Sequence, residues 1–163
     1  MGLGEWLGGG AIVVIQILVD ADACPVKDVI YRVAYRLEVP VVVVSNSHFR
    51  IPDHPLIAKQ VVSDAFDAAD DWIAEAATAK SVVVTADILL ADRCLKAGAV
   101  VLSHSGKPFT ANSIGSAIAT RAIMADLRAG GDAIGGPAPF TKAYRSRFLS
   151  ALDEALMRLK RVG

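Results

Sequence analysis

IVVIQILVDAD, Ile12 to Asp22, runs a β-branched stretch straight into two carboxylates. A run of this kind, apolar on successive residues rather than on alternate ones, predicts a strand covered on both faces. Pro25 follows at a position where a helix can begin without its missing donor. Val26, Val29, Ile30, Val33 and Leu37 then recur at helical spacing and mark a core-facing stripe. Val41 to Ser45 predicts a second buried strand, and His48 to Pro55, with two prolines, a loop. A third strand is expected over Ile57 to Ser63 and an acid-led helix over Asp67 to Ala79. Next come a strand at Ser81 to Thr85, a helix at Ile88 to Ala97 and a short strand at Val100 to Leu102. Asn112 to Ala129 reads as a helix capped by Asn112 or Ser113, closed by Gly130 and Gly131. A Gly/Pro loop around Gly135 to Pro139 precedes a last helix, Thr141 to Arg161. Strands alternating with helices give an α/β fold: one three-layer domain around a mostly parallel sheet.

The 163 residues suit one domain. With 53% hydrophobic and 21% charged residues, disorder and fibrous repeats are excluded. Seventeen bases balance seventeen acids, but unevenly: residues 1–92 hold 13 acids and 6 bases, and residues 93–163 hold 4 acids and 11 bases. An acidic half suits cations and a basic half suits phosphates. Two cysteines, Cys24 and Cys94, show no zinc spacing and give little sign of an oxidising compartment, so the cytoplasm is expected. The apolar N-terminus carries Glu5 and no positive start, which argues against a secretory signal, and it is too short for a membrane span. Gly8 to Gly10 separate it from the first strand, so residues 1–11 are expected to be a disordered or extraneous prefix to a domain spanning 12–163.

Ligands collect beyond the carboxyl ends of parallel strands. Asp20 and Asp22 follow the first strand and Asp87 follows the strand SVVVT. Asp67, Asp70 and Asp71 open the helix before that strand, spaced to share a face. Carboxylates gathered in one cleft repel unless a cation neutralises them, and all-oxygen ligation favours Mg²⁺ or Mn²⁺. Such an ion activates water and offsets charge on phosphoryl oxygens. Each acid also has an ordinary use. Asp67, Asp70 and Asp71 complement a helix N-terminus, Asp87 can cap the next helix, and Asp92 suits a solvated helix face. In the basic C-terminal part, Arg145 and Arg147 are candidate contacts to an RNA or DNA backbone, or simply part of a solvated face. The loop Ser103 to Lys107 lacks Walker spacing, and His48, His54 and His104 lack metal spacing.

DADACPVK (20–27), SN (45–46), FDAADDWIAE (66–75), TADILLA (85–91), NSIG (112–115) and GGPAPF (135–140) occur in that order, and with them the chain resembles the YaiI/YqxD family of bacterial proteins from about Ile15 to Arg161. The family carries no established activity; it is usually placed among PIN-like domains, many of which are metal-dependent nucleases. The resemblance implies a PIN-like fold, with Asp20, Asp70 and Asp87 (within Thr85-Ala86-Asp87) matching the three PIN-like acids and Asp92 a further one. Asn46 matches a family motif that carries no assigned role, and a substrate or water contact is expected of it. One departure stands out: Tyr144 occupies the place before Arg145 and Phe148 where the family usually has an acid.

Three functions are carried forward. The first is a Mg²⁺- or Mn²⁺-dependent nuclease or phosphoesterase. Here Asp20, Asp67, Asp70, Asp71 and Asp87 hold metal, Asp22, Asn46 and Thr85 are catalytic, and Arg145 and Arg147 face nucleic acid. The second is an aspartyl-phosphate phosphatase with Asp20 as nucleophile and Asp22 as acid/base. The third is a non-catalytic RNA-binding module.

Overall fold

The computed structural model describes residues 14–21, 24–65, 67–116 and 142–162. The expected prefix, Asp22, the helix beyond residue 116 and the Gly135 to Pro139 loop lie outside the described residues. The elements run β1 (Gln16–Asp20), α1 (Lys27–Leu37), β2 (Val41–Ser45), β3 (Ile57–Val61), α2 (Ala68–Ala76), β4 (Ser81–Val84), α3 (Ile88–Lys96), β5 (Val100–Leu102) and α4 (Lys142–Val162). Residues 111–116 are also helical.

The five strands form one all-parallel sheet in the order β3-β2-β1-β4-β5. Central β1 is hydrogen-bonded on both edges, with Val19 in register with Val43 on one side and Val84 on the other. Helices cover both faces. Ile17, Val19, Val41, Val43, Val82 and Val84 pack with Val29, Ile30 and Val33 of α1 and with Phe148, Leu152 and Leu156 of α4. Leu18, Val42, Val44 and Val83 point the other way, onto Ile73 of α2 and Leu90, Ala91 and Cys94 of α3. Because side chains alternate along a strand and both faces are covered, the strands need apolar residues at every position. Edge strand β3 differs: it buries Ile57 and exposes Lys59, a charge that discourages edge-to-edge pairing.

The boundaries differ from expectation for local reasons. β1 extends through Asp20, which pairs in register with Val44, so this carboxylate sits on the sheet itself. The first helix starts at Lys27, Pro25 and Val26 forming a turn before it. Asp67 has φ 65°, a left-handed conformation that no helix interior accepts, so α2 starts at Ala68. It ends at Ala76, and Thr78 and Ser81 then bond to each other, Thr78 N–H donating to Ser81 Oγ at 3.0 Å. The helical stretch from residue 111 is capped by Thr110 instead of Asn112 or Ser113. Ser113 N–H donates to Thr110 Oγ1 at 3.1 Å and Thr110 N–H to Ser113 Oγ at 2.8 Å, a reciprocal capping box. Among the described residues no helix is long and apolar enough to cross a membrane.

Candidate active site

The strand order reverses at β1. The helix after β1 covers one face of the sheet and the helix after β4 covers the other, which leaves a crevice at the carboxyl ends of these two strands. An open basin of about 1280 Å³ lies there. Asp20, Asp67, Asp70 and Asp87 all line it, together with Ser45, Asn46, Lys27, Phe49, Arg93 and His104. Acids from the end of β1, the loop after β4 and the start of α2 thus share one space.

Two of these carboxylates are held by one hydroxyl. Thr85 is fully buried; its Oγ1 donates to Asp20 Oδ2 at 2.9 Å and accepts from the Asp87 N–H at 3.0 Å. Asp87 in turn caps α3, its Oδ1 accepting from Leu89 N–H at 2.9 Å and Leu90 N–H at 3.2 Å. Both cap bonds end on Oδ1, so the cap does not use the second oxygen. The ordinary and functional uses of Asp87 are therefore compatible. Thr85, expected as catalytic, has its proton committed to Asp20 and acts by positioning that carboxylate.

Asp70 shows the electrostatic cost of the arrangement. Burial first, then the charges of Asp87, Asp20 and Asp67, push its carboxyl up to about 6, with Arg93 partly opposing them. Asp71 goes elsewhere. Successive helical residues point about 100° apart, and Asp71 reaches Arg93 Nη1 at 2.8 Å without lining the basin. Asp92 likewise pairs with Lys96 at 2.9 Å. Asn46 lines the basin at the end of β2, as its place in the sequence suggests.

The expected nucleic-acid contacts sit apart from the basin lining. Arg145 grips the Asp28 carboxylate with both guanidinium nitrogens and reaches the Pro25 carbonyl at 3.3 Å, tying α4 to the start of α1. This guanidinium holds Asp28 below the usual carboxylate range. Arg147 lies over the Tyr144 ring at 5.3 Å. The loop Ser103 to Lys107 is closed on itself: Ser103 N–H donates to the Lys107 carbonyl at 3.0 Å and Gly106 N–H to the Ser103 carbonyl at 3.0 Å.

His104 is one of the basin residues that local spacing missed. Its Nε2 is buried with no hydrogen-bond partner among the described residues, and burial lowers its pKa while the Asp20 charge opposes the shift. The signal available was its place two residues past β5, where the strand-end rule applies as much as it does to Asp20.

Carboxylate oxygens suit a hard cation such as Mg²⁺ or Mn²⁺, and Asp20, Asp70 and Asp87 would hold it. The set is not preassembled: among the described residues no three His, Cys, Asp or Glu side chains stand close enough to hold an ion. Like charges that share a basin favour separation, and the Thr85 bond and the α3 cap tether two of them.

A family model described as uncharacterised BCR, the YaiI/YqxD family, matches residues 18–158. A UPF0178 protein of Sphingopyxis alaskensis is 74% identical over 146 residues, covering 89% of this chain and 95% of its own length. UPF0178 proteins of Jannaschia sp. and Nitrobacter winogradskyi are 62% and 56% identical, over 88% and 90% of this chain and 94% of each relative. No solved structure matches the chain.

Proposed function

The chain belongs to the YaiI/YqxD family, and from that premise we propose that it is a divalent-cation-dependent phosphodiesterase acting on RNA or DNA. The observation that carries this reading is the meeting of Asp20, Asp67, Asp70 and Asp87 in one open basin at the reversal point of a parallel sheet. The sheet is compatible with a PIN-like fold. Asp20, Asp70 and Asp87 hold Mg²⁺ or Mn²⁺, and Asp67 adds negative charge at the rim. The cation supplies charge neutralisation at the phosphoryl oxygens and an activated water. Thr85 holds the Asp20 carboxylate in place through its hydroxyl, and Asn46 offers an amide to substrate or water.

The phosphatase reading depends on Asp22 as acid/base, which lies outside the described residues. The RNA-binding module draws less support, because Arg145 is already paired with Asp28.

Two measurements on the full chain test the proposal: calorimetric titration with Mn²⁺, and hydrolysis of single-stranded RNA and DNA with and without Mg²⁺ or Mn²⁺. Asp20→Asn and Asp87→Asn are expected to weaken Mn²⁺ binding at least tenfold and to abolish cation-dependent hydrolysis, whereas Asp71→Asn changes neither. Unaltered Mn²⁺ binding in both variants, together with no cation-dependent cleavage by the unsubstituted protein, refutes it.

A further inference from the structure

The basin has a second flank whose chemistry the carboxylates do not explain. Lys27, the first residue of α1, and Phe49, in the loop after β2, both line it. Lys27 Nζ stands 5.5 Å from the centre of the Phe49 ring, and Lys59 Nζ, from edge strand β3, stands 5.6 Å from the same centre. Lys59 Nζ also donates to the Phe49 carbonyl at 3.0 Å. The ring itself is half-buried against the core on the α1 side of the sheet, so it is a fixed platform for both ammonium groups.

Arg93, the other Arg or Lys side chain that lines the basin among the described residues, is already committed. Arg93 is paired with Asp71, Arg145 and Arg32 with Asp28, and Lys96 with Asp92. Among the described residues neither Lys27 nor Lys59 has a carboxylate within ion-pair distance. A strand of nucleic acid meets repulsion from four basin acids, and its approach needs positive charge at the mouth of the basin. Lysine suits this task as a compact point charge for phosphate. Two ammonium groups held on one ring lose less freedom on binding than two free side chains would.

We propose that Lys27 and Lys59, seated on Phe49, form an anion subsite that binds backbone phosphates of the substrate strand beside the carboxylate basin. This deepens the phosphodiesterase reading and rests on it for the identity of the anion. Binding at the subsite needs no metal ion.

The test is fluorescence anisotropy of a labelled ten-nucleotide single-stranded oligoribonucleotide, and of its deoxy counterpart, in EDTA between about 50 and 200 mM salt. One phosphate contact on a single strand contributes about 0.7 to the slope of log affinity against log salt, or about 8-fold in affinity near 50 mM. Lys27→Gln and Lys59→Gln are each expected to produce losses of that size for both oligonucleotides. Lys27→Arg keeps the charge and restores binding, which separates the effect from misfolding. Lys96→Gln, on the outer face of α3, leaves the slope unchanged. Unaltered slopes in both glutamine variants, absence of binding in EDTA, or an effect confined to one of the two oligonucleotides overturns the subsite. Lysine-dependent binding without cation-dependent cleavage upholds the subsite and removes the phosphodiesterase reading. Cleavage with lysine-independent binding does the reverse.

Discussion

Replacing Thr85 by valine keeps the shape of the side chain and removes the hydroxyl that joins Asp20 to Asp87. Two bonds are lost at a fully buried position: the 2.9 Å donation to the Asp20 carboxylate and the 3.0 Å acceptance from the Asp87 N–H. A hydrogen bond to a charged group contributes about 1.5–3 kcal/mol, and a stranded donor costs about 1–3 kcal/mol more. Partial relaxation and access of water to the basin side bring the expected loss to about 3 kcal/mol. For a domain of 163 residues that corresponds to a fall in Tm of about 9 °C. Thr85→Ser keeps both bonds and loses only a methyl group, about 1 kcal/mol. Urea unfolding and differential scanning calorimetry of the two variants in EDTA give the comparison. Thr85→Val should also weaken Mn²⁺ binding, because Asp20 loses the bond that orients it, while Thr85→Ser should not. If valine is tolerated as well as serine in both stability and Mn²⁺ binding, the positioning role assigned to Thr85 is wrong.

Three further outcomes are expected. Asp70 titrates at about 6 in the folded protein against an ordinary 3.8, so between roughly pH 4 and 6 the fold keeps a proton that the unfolded chain releases, and stability falls as pH rises through that window. Urea midpoints measured in EDTA should show this slope in the parent and a smaller one in Asp70→Asn; equal slopes would contradict the assignment. Gly98 and Gly106 both have positive φ, +90° and +84°, but a Cβ at Gly106 would meet the Arg147 carbonyl at 2.6 Å and Phe148 N at 2.7 Å, whereas at Gly98 the nearest atom is Ala79 Cβ at 3.5 Å. Gly98→Ala should therefore cost about 1 kcal/mol from backbone strain alone and Gly106→Ala at least twice as much by chemical denaturation, a ranking that a reversed result would overturn. Burial pushes the Cys24 and Cys94 thiols up to about 11, so about a thousandth of each is thiolate at pH 8, and an aromatic disulfide reagent should label them only when urea unfolds the chain. Rapid labelling of the folded protein would contradict their placement in the two core layers.

Val41 to Ser45 and Val100 to Leu102 were read from the sequence with the boundaries they have in the fold, because a strand covered on both faces needs unbroken apolar residues and its neighbours break the run. The helix over Ile88 to Ala97 was legible to within one residue for the same kind of reason. Boundaries governed by a single conformation were harder. Nothing in FDAADDW announces that Asp67 turns left-handed, nor does TANS announce that Thr110 takes the cap ahead of Asn112. Asp20, Asp67, Asp70 and Asp87 were legible as neighbours, since each follows a strand or opens a helix, but spacing did not separate them from Asp71 or Asp92, which pair with Arg93 and Lys96 instead.

Among the described residues, the sequence by itself determined the strands, the helices and their layering, since these follow from periodicities within a few residues of chain. Only the tertiary structure decided the company each charge keeps. Asp70 faces the basin while Asp71 turns to Arg93, Arg145 closes on an acid 117 positions away, and His104 and Lys27 join acids from three other elements. Those pairings depend on the strand order β3-β2-β1-β4-β5, which places β4 against β1 and opens the crevice between their ends. Local sequence pattern reports which face of an element is apolar, but the neighbour across a sheet is set by packing the whole chain at once.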